Sequence, residues 1–279
     1  MKTVLVILGS FLIVVAIMFA QFINSSSSDF KMVFCDVGQG DSIYIRAFSE
    51  DIVVDGGPDD FGALECLSRH MPIFDHNIEL MIVTHADGDH YGGFLDVLDS
   101  YTVTHFATSQ GDSDVLGYQA LLNKLKKKGV EVRRLVQGER IKINDEVKID
   151  VLWPPKEFTD IDSDRNNSSL VFLVDYNDFE AILTGDLDKE YLNLLLHDLS
   201  QIEIFKLSHH GSYTGTDDDT FENFRPDLSI ISAGRNNRYG HPHKEVIEVL
   251  NRFDLKYLST KDGDIIIESD GKSFKSIQN

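Results

Sequence analysis

Cysteine is nearly absent from this 279-residue chain, with Cys35 and Cys66 the only two. That excludes a disulfide-framework fold and a cysteine-based metal knuckle, and both residues read as small buried side chains. Basic residues are also scarce: 26 Lys and Arg stand against 46 Asp and Glu, a net charge of −20. So acidic a surface disfavours loose attachment to nucleic acid or anionic lipid, so stable nucleic-acid binding is not expected. Also missing are internal repeats and, from Phe30 to Asn279, any linker or charge block that would mark a domain boundary. The lysines of Lys124 to Lys128 read as a solvated helix face.

What is present begins with a single long apolar run. Lys2 precedes Thr3 to Ala20, which carry no charge, and Gln21-Phe22-Ile23 leads to the polar Asn24-Ser25-Ser26-Ser27-Ser28. The run has the length of a membrane-spanning helix, so residues 1–23 are assigned as an anchor or signal, with 4–23 in the membrane. Met18 at the −3 position of a cut after Ala20 argues for an uncleaved anchor; secretion after cleavage is the alternative. Lys2, as the only charge before the run, places the body outside the cytoplasm. Residues 24–29 form a flexible tether, and residues 30–279 one domain.

Within that domain, Thr84-His85-Ala86-Asp87-Gly88-Asp89-His90-Tyr91-Gly92-Gly93 gathers two imidazoles and two carboxylates in six positions. Such a cluster is expensive unless a cation neutralises it. The preceding Glu79 to Thr84 reads as a buried strand, and Phe94 to Leu98 as the start of a helix. In an extended segment His85 and Asp87 point the same way and can share one metal, while Asp89 and His90, past the bend, suit a second.

Short apolar runs read as strands at Met32 to Asp36, Ser42 to Ala47, Asp51 to Asp55, Val130 to Leu135, Val147 to Trp153, Ser169 to Tyr176, Phe179 to Thr184, Ile202 to Leu207 and Leu228 to Ser232. Helices are expected at Phe61 to His70, Asp114 to Lys128, Asp188 to Leu199, Thr220 to Phe224 and His243 to Phe253. Two strand-rich halves with helices point to two sheets covered on the outside by helices.

Several strands end in polar residues of useful type. Leu183-Thr184-Gly185-Asp186 sets a carboxylate where it can reach two metals, although Asp186 or Asp188 could instead cap the following helix. In Ser208-His209-His210-Gly211-Ser212 one imidazole is expected to be a ligand and the other to face substrate or a neighbouring carboxylate, without indication of which. His241, in Tyr239-Gly240-His241-Pro242-His243, is a candidate proton donor or partner for an anionic oxygen. Cys35-Asp36-Val37-Gly38-Gln39-Gly40-Asp41-Ser42 is a sharp turn whose acidic groups could face the site, and it lacks the Gly-Lys-Ser/Thr end of a phosphate loop. Asp55, before Gly56-Gly57, is expected to orient the ligand loop as a buried hydrogen-bond acceptor.

Together these motifs resemble the metallo-β-lactamase fold superfamily, in the branch containing the hydrolase domain of the competence DNA-uptake protein ComEC. The resemblance implies an α+β fold, a four-layer αββα sandwich preceded here by the N-terminal transmembrane or signal helix. It implies a dinuclear centre: His85 and Asp87 on one metal, Asp89 and His90 on the other, Asp186 bridging, and His209 or His210 completing the second set. Two departures stand out: Asp87 replaces a histidine, and Asn166-Asn167-Ser168-Ser169 occupies the region of another. The first metal position is therefore expected to be the weaker. Zinc is implied, and the added carboxylate leaves manganese open.

The activity expected is phosphodiester hydrolysis by a metal-bound water, with Asp89 and His241 in catalytic roles, on a small or polymeric phosphodiester. The acidic surface favours small substrates over DNA. A binding protein that keeps the fold without turnover, or a nuclease acting on DNA, is the alternative.

Overall fold

The computed structural model describes residues 30–110, 113–158, 165–197, 199, 201–222 and 224–278. The anchor or signal segment at 1–23 and the tether at 24–29 lie outside them. Among the described residues no helix is long and apolar enough to cross a membrane.

Strand patterns in the chain sort its faces. In β8 (Val147–Trp153) every second residue is buried, the mark of a strand with one face on the core. In β4 (Asn77–Val83) the last four residues, Leu80 to Val83, are all buried, as in a parallel strand covered on both sides.

The first sheet orders β15 (Phe274–Gln278), β14 (Ile265–Ser269), β1 (Phe30–Phe34), β2 (Ser42–Ala47), β3 (Glu50–Gly56), β4, β5 (Thr102–Ser109) and β6 (Val132–Leu135). The second orders β13 (Tyr257–Ser259), β12 (Arg225–Ile231), β11 (Gln201–Lys206), β10 (Phe179–Leu183), β9 (Val171–Tyr176), β8 and β7 (Arg140–Lys142). Their inner faces meet through Phe30, Phe34, Ile45 and Ile82 on one side and Ile149, Phe172, Val174 and Ile204 on the other.

Helices close both outer faces. Over the first sheet, α1 (Gly62–His70), α3 (Phe94–Ser100) and α4 (Leu116–Lys128) set Leu67, Phe94, Leu98, Leu121 and Leu125 against Val53, Met81 and Phe106. The four-residue α2 (Gly88–Tyr91) carries part of the His/Asp cluster. Over the second sheet, α5 (Lys189–Leu196) and α6 (Lys244–Arg252) set Leu192, Leu196, Val246 and Leu250 against Ile182, Phe205 and Ile231. Helix α4 stops where the sequence places its end: Gly129, at φ 77°, donates its N–H back to Leu125 and Lys126.

Three features correct the sequence reading. First, the two halves are not contiguous. After β13 the chain returns to the first sheet, where β14 pairs antiparallel with β1 (Phe30 opposite Ser269) and β15 forms the edge. The sequence reading ends at Phe253 and omits β13, β14 and β15, as well as β5 and β7. Strand β5 begins Thr102-Val103-Thr104-His105, too polar for an apolar-run criterion, and is held by parallel pairing on both sides.

Second, the expected helix at Thr220 to Phe224 is a single 3₁₀ turn, Asp219–Phe221. Third, Cys35 and Cys66 are not separate buried thiols but a disulfide, with Cα atoms 5.9 Å apart. Helix α1 lies on the outer face of the first sheet, which brings Cys66 against the end of β1; a contact between residues 31 apart in sequence could not be read from spacing.

The disulfide staples α1 to the Asp36 to Asp41 turn. Replacing both cysteines by alanine is expected to lower unfolding free energy by about 2–4 kcal/mol, read from urea denaturation under non-reducing conditions. An unchanged urea midpoint, or no Cys35–Cys66 cross-link by non-reducing peptide mapping, would refute the pairing.

Candidate metal centre

The parallel pairings align the carboxyl ends of β3, β4 and β5 in one sheet and of β10, β11 and β12 in the other. The side chains of interest emerge where these ends meet. Asp55, near the end of β3, has a left-handed φ of 58° and accepts the Thr84 backbone N–H (2.8 Å) and the Thr84 hydroxyl (2.8 Å). Its Oδ2 also lies 2.8 Å from His90 Nδ1. Asp55 thus fixes the start of the His85 to His90 loop and turns the far edge of the His90 ring inward, the role expected of it.

The glycine pairs of two motifs are one contact. A Cβ on Gly93 would lie 2.2 Å from the Gly56 carbonyl oxygen, and Gly93 N–H donates to Gly57 O. Likewise a Cβ on Gly40 would lie 2.3 Å from the Asp89 carbonyl, which accepts the Asp41 N–H. Three sequence-distant turns therefore interlock through bare backbone around the cluster.

At the centre stands Asp186, buried, its Oδ2 3.2 Å from His90 Nε2, 3.3 Å from His210 Nε2, 3.8 Å from His209 Nε2 and 4.0 Å from His85 Nε2. Its backbone N–H donates to Ser169 Oγ, which also lies 3.2 Å from His85 Nδ1. Asp188, not Asp186, occupies the cap position of α5.

The two adjacent histidines separate cleanly. His210 is buried, its Nδ1 on Ser232 O (3.0 Å) and its Nε2 facing Asp186 and, at 3.5 Å, Asp89. His209 is partly exposed and turns its Nδ1 to Thr214 Oγ1. Both lie in the left-handed region (φ 50° and 57°), and both Nε2 atoms face Asp186, His210 from a buried position and His209 from a partly exposed one.

His85 Nε2, His90 Nε2, His210 Nε2 and Asp186 Oδ1 are buried atoms without a hydrogen-bond partner. Leaving such atoms unpaired costs about 1–3 kcal/mol each. Three imidazole nitrogens and a carboxylate aimed at one another form a borderline donor set that suits a divalent cation. The residues present therefore fit a metal, and Asp89, His90, Asp186 and His210 could hold it.

Asp41 also lies within ligand range of His90, Asp186 and His210. Its Oδ2, however, is 2.5 Å from the Lys206 ammonium, and it faces the Nδ1 edges of His210 (3.3 Å) and His90 (4.0 Å), behind the rings. An ammonium and a metal would compete for that carboxylate, so Asp41 stands outside the donor set. Cys66, His70 and Asp264 also lie close together, but the Cys66 sulfur is in the disulfide, so they form no ligand set.

On the other side, His85 and Asp87 approach each other (Nε2 to Oδ2, 3.9 Å), but Asp87 Oδ1 accepts Arg165 Nε at 2.5 Å. Asn167 does not fill the gap. Its carbonyl accepts the Trp153 indole N–H and its side-chain oxygen the Asp188 N–H, so it serves the scaffold, and Ser169 is the residue that meets His85. His241 is half-buried; its Nδ1 lies 3.3 Å from Gln39 Nε2 and its ring is stacked near His210, centroids 6.0 Å apart.

Electrostatics follow from the burial. Desolvation opposes charge on His90 and His210, but Asp186, helped by Asp55 and Asp41 respectively, drives both well above the usual imidazole range. Desolvation likewise opposes charge on Asp186, and His210 and His90 hold it well below the carboxylate range. Burial and the neighbouring His90 push His85 down to about 4. Asp89, despite burial, is lowered to about 2 by His210 and His90.

Of the residues foreseen from sequence, the structure gathers His85, Asp89, His90, Asp186 and His210 on one centre. Asp87, His209 and His241 stand at its margin. The sequence reading missed Lys206, Ser169 and Ser232. Only Lys206 left a signal, a lysine closing the otherwise apolar Ile204-Phe205 end of β11, where a charge must find a buried partner.

The fold and the buried Asp/His centre define a metallo-β-lactamase-fold protein. No family model matches the chain. It is 30% identical over 268 residues to ComE operon protein 3 of Bacillus subtilis (strain 168), covering 88% of this chain and 34% of that protein. Its structure is similar to the metallo-β-lactamase fold protein YhfI from Bacillus subtilis, with TM-score 0.60, 12% identity, and 86% and 100% of the two chains covered. It is also similar to Zn(2+)-bound PqqB from Methylobacterium extorquens, with TM-score 0.57, 10% identity, and 83% and 88% covered. These structural likenesses establish the fold. The chain thus has the metallo-β-lactamase fold and, over most of its length, is similar to one part of the Bacillus relative, of which it spans about a third.

Because His90 and His210 favour the protonated form, a metal taking their Nε2 atoms must displace protons. Affinity should rise with pH between about 6 and 8, and calorimetric titration in buffers of different ionisation enthalpy should show net proton release. Asp55→Ala should weaken metal binding about 10–100-fold. Binding that is indifferent to pH and to Asp55 would rule out this donor set.

Proposed function

We propose that the protein is a metal-dependent phosphodiesterase. In this reading Asp89, His90, Asp186 and His210 form the stronger metal position, and His85 and Asp87, sharing Asp186, the weaker. The observation that carries it is the convergence of buried, unpartnered Nε2 atoms of three histidines on Asp186. A divalent ion there, zinc by its donor set with manganese as the harder alternative, supplies Lewis acidity and lowers the pKa of water toward neutrality.

The chain's own residues do the rest. Asp89, ionised and with its side chain 31% exposed, is placed to accept a hydrogen bond from an attacking water. His241 is pushed down to about 4 by burial and by the neighbouring imidazoles, so it is neutral at pH 7. If the Gln39 amide donates to Nδ1, the ring proton is on Nε2. His241 therefore serves as a hydrogen-bond donor to a phosphate oxygen rather than as a general acid. Tyr213 and Tyr239 stand exposed at the rim, with the Arg238 guanidinium 4.9 Å over the Tyr239 ring, a surface suited to an anionic substrate with a flat group. The net charge of −20 favours a short substrate over a long polyanion.

Placement outside the cytoplasm, tethered through residues 4–23 or released after cleavage, is part of the same proposal. The disulfide supports an oxidising compartment. Topology supports a tether as well: β1 begins at Phe30 at one end of the sandwich and ends beside the Asp36 to Asp41 turn at the other. A chain held through its N-terminus would thus carry the centre on the side away from the membrane.

The test is metal content by elemental analysis, then turnover of bis-para-nitrophenyl phosphate, single-stranded DNA and a phosphocholine ester. Activity should vanish on chelation and return with zinc or manganese. His210→Ala should lower kcat/KM by about 10²–10³-fold, several kcal/mol of transition-state stabilisation, and His209→Ala by less than about tenfold. Full metal occupancy without hydrolysis of any of the three would instead favour a binding protein.

A further inference from the structure

Lys206 is the one fully buried lysine among the described residues, and nothing in the proposed chemistry uses it. Its ammonium lies 2.5 Å from Asp41 Oδ2 and 3.3 Å from the carbonyl oxygen of Gly185, the residue before Asp186. Its own carbonyl accepts the Thr184 hydroxyl. Asp41 is equally buried, and its second oxygen sits 3.3 Å from His210 Nδ1, beside the Ser232 carbonyl that the same nitrogen meets at 3.0 Å. Asp41 belongs to the turn before β2 in the first sheet and Lys206 closes β11 in the second, so the pair spans the sandwich behind the metal centre.

We propose that Lys206 is a positioning residue: by neutralising Asp41 it keeps that carboxylate from becoming a metal ligand and leaves it as a charge facing Nδ1 of His210, which favours the ring with Nδ1 protonated and Nε2 turned to Asp89 and Asp186. Asp41 comes close enough to His90, Asp186 and His210 to join a ligand set. A cation already sits on it, and the carboxylate faces the Nδ1 rather than the Nε2 atoms of those rings. Nδ1 of His210 bonds the Ser232 carbonyl and faces a carboxylate oxygen that has no hydrogen-bond partner, and both favour the proton on Nδ1 and the lone pair of the neutral ring on Nε2. The Lys206 contact to Gly185 O fixes the backbone that carries Asp186, so one ammonium sets two of the candidate ligands.

A structural ion pair and a positioning device predict different behaviour in a double-mutant cycle. Lys206→Met leaves a buried carboxylate unpaired and Asp41→Asn a buried ammonium unpaired, so each alone should lower the urea midpoint. The double variant Lys206→Met/Asp41→Asn removes both charges and should recover most of that loss, giving a folded protein in which His210 has lost its carboxylate. Zinc affinity of the double variant, measured by competition with a chromophoric chelator, should still be about 10–100-fold weaker than wild type. Nitrogen-15 NMR of the histidine side chains, recorded at a pH high enough for the ring to be neutral, should show the Nδ1–H tautomer of His210 less populated than in wild type, with Ser232 O the charge-free acceptor left at Nδ1.

The inference is overturned if the double variant, folded, binds zinc within about twofold of wild type or keeps the wild-type tautomer. It rests on the metal reading only for the zinc measurement. The tautomer needs no metal, so a wild-type protein that binds none would refute the metal reading and leave the NMR result to decide the role of Lys206.

Discussion

Everything around the cleft is arranged by one constraint, the burial of Asp186 among four imidazoles. A carboxylate withdrawn from water is tolerated only if positive charge or donors surround it, and here His90 and His210 stand within 3.3 Å of its Oδ2. Each of those rings is in turn held from behind by a second carboxylate, Asp55 for His90 and Asp41 for His210. The centre is therefore a set of nested charges, acidic outside, imidazole between, acidic at the core, whose innermost layer a divalent cation would balance. Asp41 would upset that balance but for Lys206, and Asp87 is engaged by Arg165, so positive charge from side chains is already placed on two of the peripheral carboxylates.

Such close spacing of charged groups requires the backbone to come close as well. Gly93 against the Gly56 carbonyl and Gly40 against the Asp89 carbonyl allow three turns to share a volume that any side chain would fill. The left-handed conformations of Asp55, His209 and His210 belong to the same compression: they direct side chains that ordinary strand geometry would send elsewhere. The rigid sheets behind, with their large aromatic and branched side chains, hold these turns at fixed separation.

The two sides of the centre are unequal, and the inequality has a visible cause. On the His210 side, every ring is oriented by a buried acceptor and its free nitrogen faces inward. On the His85 side, Ser169 and the Thr84 hydroxyl are the partners of the imidazole, Asp87 is shared with Arg165, and Asn167 is bonded into the scaffold. These engagements leave the His85 side with fewer free donor atoms than the His210 side.

The sequence alone determined the site's donor types and most of its scaffold. The spacing of His85, Asp87, Asp89 and His90 and the polar ends of apolar strands report local chemistry, which is written along the chain. Boundaries of β2 and β8 and the end of α4 were legible for the same reason: alternation and capping are short-range. What only the tertiary structure decided were contacts between distant segments. The Cys35–Cys66 bond, the return of β14 to β1, and the Asp41–Lys206 pair each join residues with no periodic relation. The burial of His210 and the partial exposure of His209 were also tertiary, because which of two adjacent rings is covered depends on a left-handed kink fixed by its surroundings. Residue type sets what a group can bind; only packing sets which way it faces and what stands behind it.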